Sequence, residues 1–337
     1  MALSLDSFLS LIKNKTPEGV LGIDIGSSSI KVVQLARKKG RAVLQTYGEL
    51  ALGPYSGLSV GQATKLPTDK VIEALVDVLR EANVSTKRCA LSIPMRSSMV
   101  SVFKMPAMKD KQLAQMVPIE ARKYIPVPIS EVTLDWFVIP TFDEIEGEEK
   151  PEEKKFIEAL VVAIHNDVLV DFSSYVNGAK LSASFFEVEM FSTARSVLQP
   201  GDTGAIMIVD IGAGATKVYV TEQGVIRDSH IVARGSQNIT LNLATSLKVT
   251  NEYAEKLKRD LGHNAPDQDA NIRQISDLVM QPILNEISSV LLNFQRKYNK
   301  DISKIVFIGG GAMLDGLVDK AKAKFGIETV LGNPFSK

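Results

Sequence analysis

The chain writes one short pattern twice. Residues 20–33 read VLGIDIGSSSIKVV and residues 207–220 read MIVDIGAGATKVYV. Each copy runs an apolar strand into Asp-Ile-Gly, crosses small residues, and resumes at a Lys that leads a second apolar run. Aligning Asp24 with Asp210 also aligns Gly26 with Gly212 and Lys31 with Lys217, at an offset of 186 residues. A third strand follows another turn in both copies: RAVLQTYGEL beyond Lys38-Lys39-Gly40, and VIRDSHIVA beyond Glu222-Gln223-Gly224. A repeated three-strand meander calls for two structurally related lobes, and 337 residues exceed a usual single domain.

The rest of the chain fills in an α/β layer around each meander. Ile72, Leu75, Val76 and Leu79 mark an amphipathic helix, and KRCALSIP returns as a strand. Residues 98–178 change character: SMVSVFKMP, VTLDWFVIP and KFIEALVVAI read as strands, KDKQLAQMVPIEARKYI as a short helix, and a further helix follows Asn166. This β-α-β-β-α order is expected to form a subdomain inserted in the first lobe. The expected boundaries are an N-terminal segment 1–19, a first lobe built from 20–97 and 179–200, the insert 98–178, and a second lobe 201–337. Within the insert, TFDEIEGEEKPEEKK reads as a solvated hairpin tip, and Trp136 as a core or surface aromatic, with the lining of a peptide groove as its alternative role. The second lobe continues with helices near 236–247 and 250–260, then a long one from about Asn271 to Tyr298, expected to kink before Pro282. A buried strand KIVFIGGG, a helix and a closing strand end it.

Bulk composition excludes several functions. Lys+Arg and Asp+Glu both number 39, so no charge excess points to nucleic acid or an anionic membrane. Cys89 is the single cysteine, which rules out an internal disulfide and a clustered-thiolate metal site; in CALSIP it reads as a small core residue. His165, His230 and His263 are scattered and lack metal or triad spacing. No run approaches the roughly 20 apolar residues that span a bilayer, and MALSLDSFLSLIKNK lacks a signal peptide's layout, so a cytoplasmic protein is expected. Leu5, Phe8, Leu9 and Ile12 share one helical face, which would pack on the protein itself, on a partner or on a membrane surface.

The chemistry concentrates in the repeats. Gly26 and Gly212, followed by Ser27, Ser28 and Ser29 in one copy and Ala213, Gly214, Ala215 and Thr216 in the other, let backbone N–H groups approach an anion without side-chain obstruction. Two such hairpins facing each other would clamp a triphosphate. Asp24 and Asp210 would then share a cleft in which like charges need a cation between them, and Mg²⁺ held through water is the natural one. Lys31 would add positive charge for the phosphates. A third cluster, Gly309-Gly310-Gly311, ends a buried strand and would let a flat ring approach the backbone; it lacks the G-x-G-x-x-G dinucleotide pattern.

These residues together resemble the actin-like ATPase superfamily: DIGSSSIK looks like its first phosphate loop, DIGAGATK its second, and FIGGGAML its adenosine segment. Within it, the segment ALSIPMRSSMVSVFKMP with the inserted unit is similar to FtsA-like proteins. EARKYIPVPISEVTLDW and the terminal GNPF resemble the PilM family of type IV pilus assembly. The resemblance implies an actin-like fold of two duplicated lobes with an FtsA-like insert, ATP and Mg²⁺ between the lobes, and both hairpins on phosphate. It also implies Glu255 and Lys258 on the ribose, unless they are an ordinary helical ion pair, and Gly309, Gly310 and Gly311 around the adenine. Glu187 or Glu189, at the start of the first connecting helix, would orient an attacking water if hydrolysis occurs, or serve only as a helix N-terminal carboxylate. The implied partner is the N-terminal cytoplasmic peptide of PilN, with other pilus assembly proteins, further copies of the chain, and membrane contact only through partners. Two rival readings stand beside it: a filament-forming ATPase of the FtsA or MreB kind, and a phosphotransferase of the sugar-kinase branch.

Overall fold

The computed structural model describes residues 19–139, 156–260 and 270–335. The N-terminal segment, the acidic tip and His263 lie outside the described residues. The first lobe opens with β1 (Val20–Ile25), β2 (Ser29–Lys38) and β3 (Arg41–Ala51), an antiparallel meander. Lys39 and Gly40, both at positive φ, make the β2–β3 turn, where a glycine adopts left-handed backbone without cost. The helix α1 (Thr68–Glu81) buries Val71, Ala74, Leu75 and Val78 along one face, and β4 (Arg88–Ile93) then runs parallel to β1. Cys89 is buried in this core, as its apolar surroundings in the sequence require.

The insert comprises β5 (Ser98–Pro106), α2 (Asp110–Ala121), β6 (Val132–Ile139) and β7 (Phe156–His165), with the strands in the order β5-β7-β6. Strand alternation gives its sheet two apolar faces. Phe103, Met105, Ala159, Val161 and Ala163 pack with Leu113 and Val117 of α2, and the half-buried Trp136 joins this core. Leu160, Val162, Val100 and Val102 point the other way, into a core shared with both lobes. The insert is therefore seated at the junction of the lobes, where Arg227 donates to Glu158 at 2.6 Å.

The helix α3 (Asn166–Gly178) completes the β-α-β-β-α order but packs away from the insert's own sheet. Its buried Phe172 and Val176 pack in the first lobe with Val71 and Leu75, and Phe172 meets the Phe186 ring edge-on with centroids 6.5 Å apart. The apolar stripe of α3 finds its partner surface on α1 rather than on the small sheet. The strand β8 (Ser182–Val188) completes the first sheet in the order β3-β2-β1-β4-β8, and α4 (Glu189–Val197) leads into the second lobe.

That lobe repeats the plan: β9 (Ala205–Ile211), β10 (Thr216–Glu222), β11 (Val225–Val232), α5 (Gln237–Leu247), α6 (Asn251–Asp260), α7 (Ala270–Tyr298), β12 (Ile302–Ile308), α8 (Leu317–Phe325) and β13 (Glu328–Leu331). Its sheet order, β11-β10-β9-β12-β13, matches the first strand for strand. The α7 helix runs continuously through Pro282 and buries Ile283, Ile287, Val290 and Phe294 against Met207, Val209 and Phe307. Among the described residues no helix is long and apolar enough to cross a membrane.

Phe294 is fully buried in this core. Phe294→Ala is expected to destabilise the protein by about 3–5 kcal/mol, the transfer and cavity cost of a deleted core ring; a urea unfolding series comparing midpoints checks it.

Candidate functional site

Both repeated hairpins close on their own backbone in the same way. The Gly26 N–H donates to the Ser29 carbonyl at 2.9 Å, and the Gly212 N–H to the Ala215 carbonyl at 3.0 Å. Their tips face each other across the cleft: a β-carbon placed on Gly214 would lie 3.1 Å from Ser27 Oγ and 3.4 Å from Ala63 Cβ. Each tip is braced from behind. Leu52 and Thr64 donate backbone N–H groups to the carbonyls of Ser28 and Ser27, while Ser236 and Gln237 do the same for Gly212 and Ala213. Thr216 lies on β10 with its hydroxyl donating to the Arg234 carbonyl at 2.9 Å, so it supports the second hairpin from outside the cleft.

The two aspartates occupy matched registers, Asp24 opposite Lys31 and Asp210 opposite Lys217. Their electrostatics differ. In the first lobe Lys31 turns outward, donating to Ser29 Oγ at 2.8 Å and reaching Glu49 at 3.3 Å with its side chain 51% exposed, and Asp24 accepts from the Ser92 hydroxyl at 2.6 Å. In the second lobe Lys217 is only 21% exposed, and its ammonium bridges Asp210 Oδ2 at 3.1 Å and Glu189 Oε2 at 2.8 Å. Burial alone would lower the Lys217 pKa, but the two carboxylates outweigh it and raise it. Burial pushes the Glu189 carboxyl up, against the pull of Lys217 and of the Met95 N–H that donates to it at 2.8 Å. Burial, and then the charge of Asp210, pushes the Tyr219 phenol well above its ordinary range, with Glu189 and Asp24 adding to the shift.

The two candidate water-orienting carboxylates separate here. Glu189 belongs to the acidic cleft, whereas Glu187 is held by both terminal nitrogens of Arg195, at 2.6 and 2.5 Å. Glu255 is buried at the floor of the cleft with its oxygens taken by Thr240 at 2.7 Å, Lys258 at 2.6 Å and Arg259 at 2.9 Å. Burial disfavours its charged form, but Lys258, Thr240 and Arg259 outweigh that and hold the carboxyl below its ordinary value. The first-lobe loop rests directly on it, since a β-carbon on Gly61 would sit 2.7 Å from Glu255 Cδ. Nearby, the Ala63 N–H donates to Gln237 Oε1 at 3.0 Å across the cleft. Glu255 and Lys258 thus form a closed ion pair beneath an interlobe bridge.

The three glycines after β12 divide as well. Gly309, at φ +83°, lies against Asp210, and Gly311 against Ile211; a β-carbon would come within 2.5 Å of Asp210 Oδ1 in the first case and would overlap Ile211 Cγ2 in the second. Gly310 faces open space, with nothing within 4 Å of where a β-carbon would stand. The facing small-residue hairpins and the open Gly310 face fit a nucleotide. A divalent metal fits less well: Asp210 has one oxygen against Gly309 and the other on Lys217, and the described residues contain no group of three or more metal-ligating side chains. Lys217 carried a sequence signal, its register opposite Asp210; Gly61 and Gln237, which bridge the lobes through loop geometry, carried none.

Two duplicated α/β lobes with small-residue hairpins face to face define the actin-like ATPase fold. The solved PilM–PilN type IV pilus biogenesis complex superposes with a TM-score of 0.77 at 21% identity, covering 94% of this chain and 88% of that one. The ethanolamine utilization protein EutJ of Carboxydothermus hydrogenoformans follows at 0.55 and 17% identity, covering 94% and 85%. In sequence, the cell division protein FtsA of Streptococcus pneumoniae is 23% identical over 343 residues, 93% of this chain and 75% of its own length. FtsA of Bacillus subtilis is 21% identical over 268 residues, 74% of this chain and 59% of its own length. Residues 22–337 match the family described as type IV pilus assembly protein PilM, and the chain belongs to that family.

Two outcomes test the geometry. Gly309→Ala is expected to cost roughly 1–3 kcal/mol, because a side chain at positive φ is strained and has no room beside Asp210, while Gly310→Ala leaves thermal stability unchanged; differential scanning calorimetry of both variants compares them. A carboxyl depressed in the folded state contributes stability above its unfolded pKa and loses it as pH falls through the folded value. Glu255 lies below its ordinary 4.5, so the wild type is expected to lose stability below that pH more steeply than Glu255→Gln, as read by melting temperature across an acid series.

Proposed function

We propose that this chain is an ATP-binding, actin-like scaffold of type IV pilus assembly that couples its nucleotide state to capture of the N-terminal cytoplasmic peptide of PilN. The observation that carries the nucleotide half is the tip-to-tip approach of the two hairpins, Gly214 against Ser27. Backbone N–H groups flanked by Gly, Ser and Ala on both walls of one cleft suit a polyphosphate. Lys31, half exposed at the rim, supplies a mobile positive charge, and Gly310 an open backbone face for the base. Glu255 and Lys258 meet the ribose once the Gly61 loop lifts.

The partner half is supported by family membership and by the fold shared with a solved PilM–PilN complex. A short tail laid in extended form gains main-chain hydrogen bonds and sets alternate side chains in apolar pockets. The insert offers exposed apolar side chains for this, Met116, Ile119, Tyr124 and Phe137, and the first lobe adds Val170 and Phe185. The insert touches both lobes, so a change in lobe closure reaches this surface through the shared core around Leu160 and Met190. Binding to PilN would hold the protein at the inner membrane.

Calorimetric titration of the full chain with ATP, followed by fluorescence anisotropy of a labelled PilN N-terminal peptide with and without ATP, tests both halves. The peptide is expected to bind, and ATP to change its affinity by about 5–150-fold, the usual range of coupling. Absence of peptide binding under both conditions, or cross-links confined to residues 210–330, rules out the partner assignment.

A further inference from the structure

Of the two lysines that the repeat places in register, one became a cleft-rim side chain and the other was drawn into the interior. Lys217 projects from β10 directly opposite Asp210 on β9. Its ammonium lies within 3.1 Å of Asp210 and 2.8 Å of Glu189, both at most 17% exposed. The arrangement is pinned on every side. Glu189 stands at the first turn of α4 and takes the Met95 N–H from the end of the first sheet on its other oxygen, at 2.8 Å. Asp210 has its second oxygen against the Gly309 backbone. The chain thus carries an internal cation between two carboxylates, at the place where the two lobes and the connecting helix meet.

We infer that the Lys217 ammonium takes the place of a divalent cation in this cleft, so that the protein binds nucleotide without requiring divalent metal. A divalent ion in such a site holds clustered carboxylates together and lets a polyphosphate approach them. Lys217 already performs the first task. The small-residue hairpins and the half-exposed Lys31 meet the phosphates from the other side. Adding a divalent ion at Asp210 would require breaking a largely buried ion pair and leaving the ammonium without that partner, which is costly. In the first copy the equivalent Lys31 is half exposed, beside Glu49 and Ser29, so a lysine bridging two cleft carboxylates belongs to the second lobe alone among the described hairpins.

This inference rests on the nucleotide-binding reading above, and the experiment separates the two. ATP affinity of the full chain is measured by calorimetry in excess Mg²⁺ and in excess EDTA, for the wild type and for Lys217→Met. Mn²⁺ electron paramagnetic resonance of the wild type with ATP runs in parallel. The expected result is a wild-type affinity that agrees within about threefold between the two conditions, and a Lys217→Met affinity that falls at least about tenfold in EDTA, a factor worth about 1.4 kcal/mol. The Mn²⁺ spectrum of wild type with ATP is expected to show no signal beyond that of free Mn²⁺–ATP. A wild-type affinity that collapses in EDTA, or a new protein-bound Mn²⁺ signal, overturns the inference and leaves the nucleotide reading intact. Loss of ATP binding by the wild type in both conditions sinks that reading itself. If Lys217→Met does not fold, as a melting curve will show, the wild-type metal comparison and the Mn²⁺ spectrum decide the matter.

Discussion

The junction of the lobes is held by the Lys217 ammonium, which bridges two carboxylates. Folding brings Asp210, Glu189 and Asp24 close enough to act together on the Tyr219 phenol. Carboxylates gathered at a partly buried junction repel one another and resist desolvation. The Lys217 ammonium, in contact with two of them, turns that repulsion into a bridge between the second sheet and the connecting helix. The Met95 backbone extends the bridge to the first lobe through Glu189. Such a buried arrangement does little for net stability by comparison with an apolar one, but removing a single partner leaves an uncompensated charge worth about 3–5 kcal/mol. Its geometric consequence is that β9, β10, α4 and the end of the first sheet are tied together at one point.

Around this junction the structure places three cores. One lies between the first sheet and the helices α1 and α3, one between the second sheet and α7, and the third joins the insert, α4 and the back of the second sheet. The third core explains why the insert is not an appendage. Its sheet has two apolar faces, and only one is covered by its own helix; the other is continuous with Met190, Ile208 and Val306. Close-packed interiors transmit displacement rather than absorb it, so the insert and the lobe junction move as neighbours. A partner seated on the insert would in this way sense the state of the cleft.

The likenesses bear on this at two levels. The match over residues 22–337 assigns the chain to the PilM family of pilus assembly. The solved neighbours, at 21% identity and below, carry the fold alone. A fold hosts many chemistries, and function is decided by the groups at the site. Here Glu189 has both carboxylate oxygens engaged, one by Lys217 and the other by the Met95 N–H.

The sequence by itself determined the duplicated plan. Strand alternation, the positive-φ turn at Lys39-Gly40 and the small residues after Asp24 and Asp210 are local instructions, and they yielded two meanders with the same strand order. The long helix to Tyr298 was equally legible from its apolar spacing. What only the tertiary structure decided concerns contacts between segments far apart in the chain. The apolar stripe of Phe172 and Val176 does not say which surface will cover it, and α1 rather than the insert's sheet does so. Glu187 and Glu189 look interchangeable on paper, yet one pairs with Arg195 and the other enters the cleft, because the chain passes from strand β8 to helix α4 between them and residues two apart no longer share a face. Lys31 and Lys217 occupy the same register in identical hairpins. Their opposite fates follow from what each hairpin packs against, Glu49 on an open sheet edge for one and the Asp210–Glu189 pair at the lobe junction for the other: a side chain's charge environment is set by neighbours that local sequence does not name.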